Sequence, residues 1–218
     1  MESENSSWAQ AIPPAQGLYD PAYEKDACGV GFTVHIKGHR SHKILSDASD
    51  ILCNMTHRGA SGADIRDGDG SGVMTGMPDD FFRIEIKRDM KIDLPPEGQY
   101  AVGNIFMKKE NAGESKQVFE QLANAVGLRV LCWRTVPCDG TILGPSARSK
   151  EPAIEQPFVT FDRSMNAKQF EHQLYILRKH ATHTITMKKW FYVCSLSTKN
   201  IVYKGQLTPR QVCYSDSI

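Results

Sequence analysis

Apolar and polar residues alternate along "DACGVGFTVHIKG", where Val30, Phe32, Val34 and Ile36 fall on one face of an extended chain; the pattern predicts a half-buried strand over 28–36. The period then lengthens. Ile44, Leu45, Ala48, Ile51, Leu52 and Met55 recur at helical spacing after Ser41, a good N-cap residue. His57 and Arg58 suit the negative end of a helix and Gly59 a left-handed stop, so one amphipathic helix is expected over 42–58. Further on, "VMTGM" (73–77), "YAVGNIFM" (100–107), "RVLCWRTV" (129–136) and "PFVTF" (157–161) read as strands. The charged, proline-containing stretch from Pro78 to Gly98 is expected to cross the surface. Ser115 is expected to cap a second helix with Val118, Phe119, Leu122 and Val126 on its apolar side and Gly127 as its stop. A third helix over 166–182 carries Phe170, Leu174, Leu177 and Ala181 on one face. "KWFYVCSLS" and "NIVYKG", joined near Thr198 and Lys199, read as a hairpin. Without strict alternation of strand and helix, the sum is an α+β fold with a largely antiparallel sheet.

Composition narrows the function classes only a little. With 26 Lys and Arg against 25 Asp and Glu, the chain has no field that calls for a nucleic acid, an anionic membrane or an acidic partner. Every apolar run is interrupted well short of the roughly 20 residues that span a bilayer. Cysteines 28, 53, 132, 138, 194 and 213, with no secretory signal before them, fit reduced thiols and an intracellular setting, the cytoplasm ahead of an organelle. Cys53, Cys132 and Cys194 lie among apolar neighbours and read as small buried hydrophobes. The first 27 residues differ in kind, with five acidic residues, one lysine, three prolines and no periodic apolar face. They match neither a secretory signal nor a transit peptide, which leaves a disordered leader, an interaction arm or a removable propeptide.

Cys28 invites a chemical reading because Gly29 and Gly31 follow it on the predicted strand, and glycine in a strand marks the close approach of a backbone or ligand. A cysteine packed in the core is the plainer account. If the chain is cut after Ala27, however, one residue carries both a thiol and an α-amine. The amine titrates near 7.7 to 8 and the thiol near 8.5, so the amine can serve as a built-in base. "MTHRGASGAD" and "DGDGSGVMTG" form a second constellation, a glycine and aspartate loop with Arg58 at its entrance. A calcium loop beginning at Asp67 fails because its twelfth position is Pro78, which has no carboxylate. A dinucleotide fingerprint fails because the loop runs from helix to strand rather than the reverse. His180 and His183 have no companion ligands at a diagnostic interval, so no metal is expected.

"CGVGF" (28–32), "MTHRGASGAD" (55–64), "GDGSGV" (68–73) and "KNIVYKGQLTP" (199–209), in that order, closely resemble the glutamine amidotransferase domain of the glutamate synthase family, from about Tyr19 to about Val212. The resemblance implies an N-terminal nucleophile hydrolase fold, a four-layer αββα sandwich of mainly antiparallel sheets. It implies a leader of residues 1–27 that is removed, and a partial amidotransferase domain over 28–218. Cys28 then matches the nucleophile and base that attacks L-glutamine to form a γ-glutamyl thioester, releasing ammonia. Arg58 and Gly59 match the loop packed against that residue, and Asp69, Gly70 and Gly72 the glycine-rich turn that scaffolds it. The complete family passes ammonia to a synthase domain, where it meets 2-oxoglutarate and is reduced on FMN beside an iron-sulfur cluster, with electrons from NAD(P)H or ferredoxin; none of these cofactors is expected in this chain. The family's oxyanion-hole Asn-Gly pair has no counterpart, since the sequence contains no Asn-Gly dipeptide. The expectation is a chain that stops inside the domain and is a poor glutaminase alone. Another class of N-terminal-cysteine amidotransferase and a non-catalytic binding fragment remain the alternatives.

Overall fold

The structure, a computed structural model, describes residues 14–18, 20, 28–59, 64–161, 165–186 and 190–212. In chain order it contains α1 (His42–Asn54), a 3-10 turn (Thr56–Arg58), β1 (Ser71–Gly76), α2 (Asp79–Met90), β2 (Tyr100–Met107), α3 (Ala112–Ala125), β3 (Leu128–Thr135), α4 (Pro145–Ser149), β4 (Ala153–Phe161), α5 (Ala167–Thr186), β5 (Phe191–Ser197), β6 (Asn200–Gly205) and α6 (Pro209–Val212). They fall into two compact units, Met1–Ser71 with Gln206–Ile218, and Gly72–Gly205.

The unit Gly72–Gly205 is built on a four-stranded sheet in the order β3-β4-β2-β5, with every neighbouring pair antiparallel. β2 is buried at all of its positions and β4 and β5 at most of theirs, whereas β3 is mainly half-buried. One cluster joins Ala101, Ile105 and Met107 of β2 to Phe119 of α3 and to Phe170, Leu174, Leu177 and Ala181 of α5. Fully burying each large member of that stripe stabilises the fold by about 1.5–3 kcal/mol, which is why the helical period was legible at α3 and α5. The second cluster packs Phe82 and Ile86 of α2 with Tyr100, Val102, Phe158 and Ile201.

That second cluster corrects one expectation. The stretch after Pro78 does not merely cross the surface; residues 79–90 are a helix whose Phe82 and Ile86, one turn apart, are fully buried. Asp79 and Asp80 open it and Lys87 and Arg88 close it, the order that the helix dipole favours. Arg83 fixes the segment that follows, pairing with Asp79 at 2.7 Å and donating to the carbonyls of Leu94 and Pro95 at 2.8 and 2.6 Å.

Three local expectations change as well. Ser115 is no cap: α3 begins at Ala112, and Ser115 lies inside it, buried. Gly127, at φ +76°, does end that helix in the left-handed region. β4 starts four residues before "PFVTF", running through Pro157 where the β2–β4 pairing skips from Val102↔Phe158 to Ile105↔Glu155. β5 and β6 are not a paired hairpin, because β5 joins the four-stranded sheet and β6 pairs with β1. Side chains replace the missing ladder. Asn104 Nδ2 donates to the Val202 carbonyl at 2.8 Å, and the Val202 N–H donates to Ser195 Oγ at 3.1 Å. Glu171 of α5 holds the corner between the two strands, accepting from the backbone N–H of Thr198 at 2.8 Å.

In the other unit α1 forms as expected but ends at Asn54, and residues 56–58 tighten into the 3-10 turn. Ser41 has extended backbone but makes no side-chain cap, and Gly59, at φ −101°, is not left-handed. The strand expected over 28–36 does not form. No β ladder reaches these residues among those described, and a turn closes with Gly38 N donating to His35 O at 2.8 Å. Val30, Phe32, Val34 and Ile36 stand 67–99 % exposed. Alternation marks a face that could be covered, but a strand also needs a neighbour for its N–H and C=O groups. The leader expected over 1–27, and Cys213, lie largely or wholly outside the described residues. Cys194 is buried as expected, whereas Cys53 and Cys132 are only half-buried.

Candidate active-site cleft around Cys28

Within the unit Met1–Ser71 with Gln206–Ile218, a cleft of about 260 Å³ opens in front of Cys28. Cys28 is exposed to it. The two glycines that raised suspicion account for how the thiol gets there. A Cβ on Gly31 would lie 2.3 Å from Ile51 Cγ2, and one on Gly29 2.9 Å from Met55 Sδ. Residues 28–31 therefore lie flat on α1, at a separation that only glycine allows.

Arg58 closes the near side. Its backbone N–H donates to Met55 O at 2.8 Å, which sets the 3-10 turn, and its Nε donates to the carbonyl oxygen of Cys28 at 3.3 Å. Thr56 Oγ1 donates to Cys53 O at 2.5 Å and holds the same turn to the end of α1. Asp69, Gly70, Ser71 and Pro209 line the cleft too, as do Leu52 and Met55 of the α1 end. Asp64 anchors the approach to Asp69 and Gly70: the Arg66 guanidinium and backbone N–H both donate to its carboxylate and hold it down at about 2. At Gly68 a Cβ would stand 2.3 Å from the Leu207 carbonyl, so loop and C-terminal segment meet backbone to backbone.

The structure thus brings Cys28, Arg58, Gly59, Asp69 and Gly70 around one space. Gly72 is elsewhere. It lies in β1, where a Cβ would come 2.5 Å from Lys204 Cβ and 2.6 Å from Tyr203 O, so it permits close strand packing rather than shaping the cleft. Leu52, Met55, Ser71 and Pro209 were not singled out in the sequence; only the apolar period of α1 and the proline of "QLTP" pointed toward them. The described residues contain no group of three or more His, Cys, Asp or Glu side chains able to hold a metal ion. No helix among them is long and apolar enough to cross a membrane.

An exposed thiol at the rim of a cleft, with its own backbone carbonyl held by a guanidinium, is an arrangement suited to nucleophilic attack on a small polar substrate. Residues 28–216 match the family model of the glutamine amidotransferases class-II, and the chain belongs to that family. Over 216 residues it is 56% identical to the NADH glutamate synthase of Schizosaccharomyces pombe, covering 95% of this chain and 10% of that protein. It is 50% identical to the NADH glutamate synthase of Saccharomyces cerevisiae over 219 residues, again 95% and 10%. The large chain of the NADPH glutamate synthase of Bacillus subtilis is 40% identical over 212 residues, 94% of this chain and 14% of that one. The chain therefore spans about a tenth of the length of the two yeast relatives.

Proposed function

We propose that this chain carries the glutamine-hydrolysing site of a glutamate synthase, with Cys28 as nucleophile once the preceding 27 residues are removed. The observation that carries the reading is the cleft itself: Cys28, at which the family match begins, opens onto a space bounded by Arg58 and Asp69. In this reading the freed α-amine takes the thiol proton, and the sulfur attacks the side-chain amide carbon of L-glutamine. The C–N bond breaks, and the proton held by the amine leaves with the nitrogen as ammonia. A γ-glutamyl thioester remains on Cys28. Water adds to it, the C–S bond breaks, and glutamate departs as the thiol is regenerated. Arg58 and Gly59 hold Cys28 in register, and Asp69 and Gly70 form part of the cleft wall. Residues 1–27 act as the removable leader and residues 28–218 as part of the amidotransferase domain.

The ammonia goes in this reading to a synthase domain acting on 2-oxoglutarate, with FMN, an iron-sulfur cluster and NAD(P)H or ferredoxin on that side; no step of glutamine hydrolysis runs through them. The compartment in this reading is a reducing one, the cytoplasm ahead of an organelle, and the five described cysteines form no disulfide with one another. Intact-mass measurement on the full polypeptide, followed by labelling with a γ-diazoketone analogue of glutamine, tests the proposal. The expected protein begins at Cys28 and takes up one label there, blocked by L-glutamine and abolished by Cys28→Ser. A working enzyme that retains its leader, or labelling that ignores Cys28→Ser, would overturn it.

A further inference from the structure

Gln211, half-buried near the end of α6, uses both ends of its side-chain amide. Its Oε1 accepts from the backbone N–H of Thr208 at 2.7 Å, and its Nε2 donates to the carbonyl oxygen of Arg66 at 3.0 Å. The Gln211 backbone N–H also donates to Thr208 O at 3.0 Å, closing the turn that carries Pro209. One side chain thus fastens the Pro209 turn to the loop that runs from Asp64 into Asp69 and Gly70. A separate observation points to the same junction. Gly68, between Arg66 and Asp69, touches the Leu207–Thr208 peptide so closely that a Cβ would stand 2.3 Å from Leu207 C and 2.4 Å from Thr208 N.

Neither Gln211 nor Gly68 lines the cleft, yet Pro209 on one of these segments and Asp69 with Gly70 on the other do. Cys28 is held independently, by the fit of Gly29 and Gly31 on α1 and by Arg58. We infer that Gln211 is a positioning residue of this site: by bridging Thr208 to Arg66 across the Gly68 contact, it sets how far the Asp69–Gly70 wall stands from Cys28. The inference deepens the reading of the cleft as a glutamine site and rests on it.

Glutamine is the side chain the geometry requires, because one end must accept and the other donate. Gln211→Glu keeps an acceptor for Thr208 N–H but sets a carboxylate oxygen against the Arg66 carbonyl. Gly68→Ala attacks the same junction from the other segment. The test is hydrogen exchange, resolved by segment, on the full chain and both variants, with Cys28 alkylated in parallel by iodoacetamide and by a bulky maleimide. Loss of one such hydrogen bond is expected to raise exchange over 66–70 by about tenfold and to favour the bulky reagent at Cys28, with exchange in α1 unchanged. Exchange that is unaltered at 66–70, or that rises equally in α1, overturns the inference, the latter because Gln211 would then support the unit as a whole. Failure of the functional reading shows itself separately: wild-type Cys28 would react with the glutamine analogue no faster than with iodoacetamide, which withdraws the wall's role in glutamine binding whatever the exchange data show.

Discussion

Arg58 Nε donates to the carbonyl oxygen of Cys28 across 3.3 Å, joining residues thirty apart in sequence. The guanidinium does not touch the sulfur in this contact. It fixes the backbone from which the thiol projects, while the Arg58 stem packs against Gly29, with Cβ and Cγ 3.3 and 3.4 Å from where a glycine side chain would begin. Arg58→Ala removes both, whereas Arg58→Lys keeps the packing and loses the planar donor. A hydrogen bond from a charged donor contributes about 1.5–3 kcal/mol, so Arg58→Ala should slow acylation of Cys28 by about 10- to 100-fold, with Arg58→Lys in between. Single-turnover labelling by the glutamine analogue measures this; equal rates in all three would show that Arg58 plays no part in presenting the thiol.

Gly31 should be the less replaceable of the two glycines after Cys28. The atom that a new Cβ would meet at position 31 is Ile51 Cγ2, at 2.3 Å, fixed to a branched carbon on a helix. At position 29 it is Met55 Sδ, at 2.9 Å, on a flexible side chain that can move aside. Gly31→Ala is expected to cost about 1–3 kcal/mol in denaturant unfolding and Gly29→Ala less. Adding Ile51→Ala should recover part of the Gly31→Ala loss, a coupling that a double-mutant cycle reads directly. Strictly additive effects would mean that residues 28–31 do not lie on α1 as described.

What the sequence disclosed and what it withheld divide along a physical line. Cys28 and Asp69 stood out because each adjoins a glycine, Gly29 or Gly68, that lies close against another segment, and Arg58 because its motif falls in order between theirs. The span of β2 and the buried face of α5 were legible because a mostly apolar run marks the first and a local helical period the second. The strand expected over 28–36 carries the same kind of period, yet the pattern cannot supply the neighbour that a ladder requires. Two strands joined by two residues look alike in sequence whether they pair or turn a corner between sheets; Asn104, which decides the matter here, lies 98 residues from Val202. α2 was hidden by its charge, though Phe82 and Ile86 at i and i+4 between two aspartates and a Lys-Arg pair were the available signal. Pro209 lines the cleft next to a bond from Gln211 to Arg66 and a close contact of Gly68 with Leu207, the first across 145 residues and neither announced by a local pattern.

Thiol reactivity should rank by burial. The Cys132 thiol is pushed up from 9.0 to about 11 by desolvation, so at about pH 8 only about one part in a thousand is thiolate. Desolvation pushes up the thiol of buried Cys194, and also that of Cys138, whose residue as a whole is exposed. Iodoacetamide at that pH should therefore modify Cys28 before the other three. A linkage follows with a definite sign: the folded state holds the Cys132 proton more tightly than the unfolded state does. The stability associated with it is complete below about pH 9 and is lost as the pH rises toward about 11. Urea midpoints should fall across that window, and Cys132→Val should flatten the fall. A slope that Cys132→Val leaves unchanged would assign the alkaline loss to other groups.

Asn104 offers the sharpest test of the corner between β5 and β6. It is 1 % exposed, its Nδ2 serves the Val202 carbonyl, and its Oδ1 has no hydrogen-bond partner. Asn104→Leu removes the donor, leaving the weak Cys194 thiol at 3.5 Å as the remaining side-chain donor to Val202 O, and should cost about 1–3 kcal/mol. Asn104→Asp places an acceptor against the same carbonyl and should cost more, in a manner that depends on pH. Burial without a partner raises the pKa of a carboxyl above its unfolded value of about 3.9, because the charged form is penalised. With its folded pKa raised, the variant binds a proton more tightly folded than unfolded. Its deficit relative to wild type is therefore smallest below about pH 4 and grows as the pH rises through the raised value. Denaturant midpoints of the two proteins between about pH 4 and pH 8 should diverge steadily with pH. If Asn104→Asp instead tracks Asn104→Leu at every pH, position 104 is open to water and β6 is held at this corner by something other than the Asn104 amide.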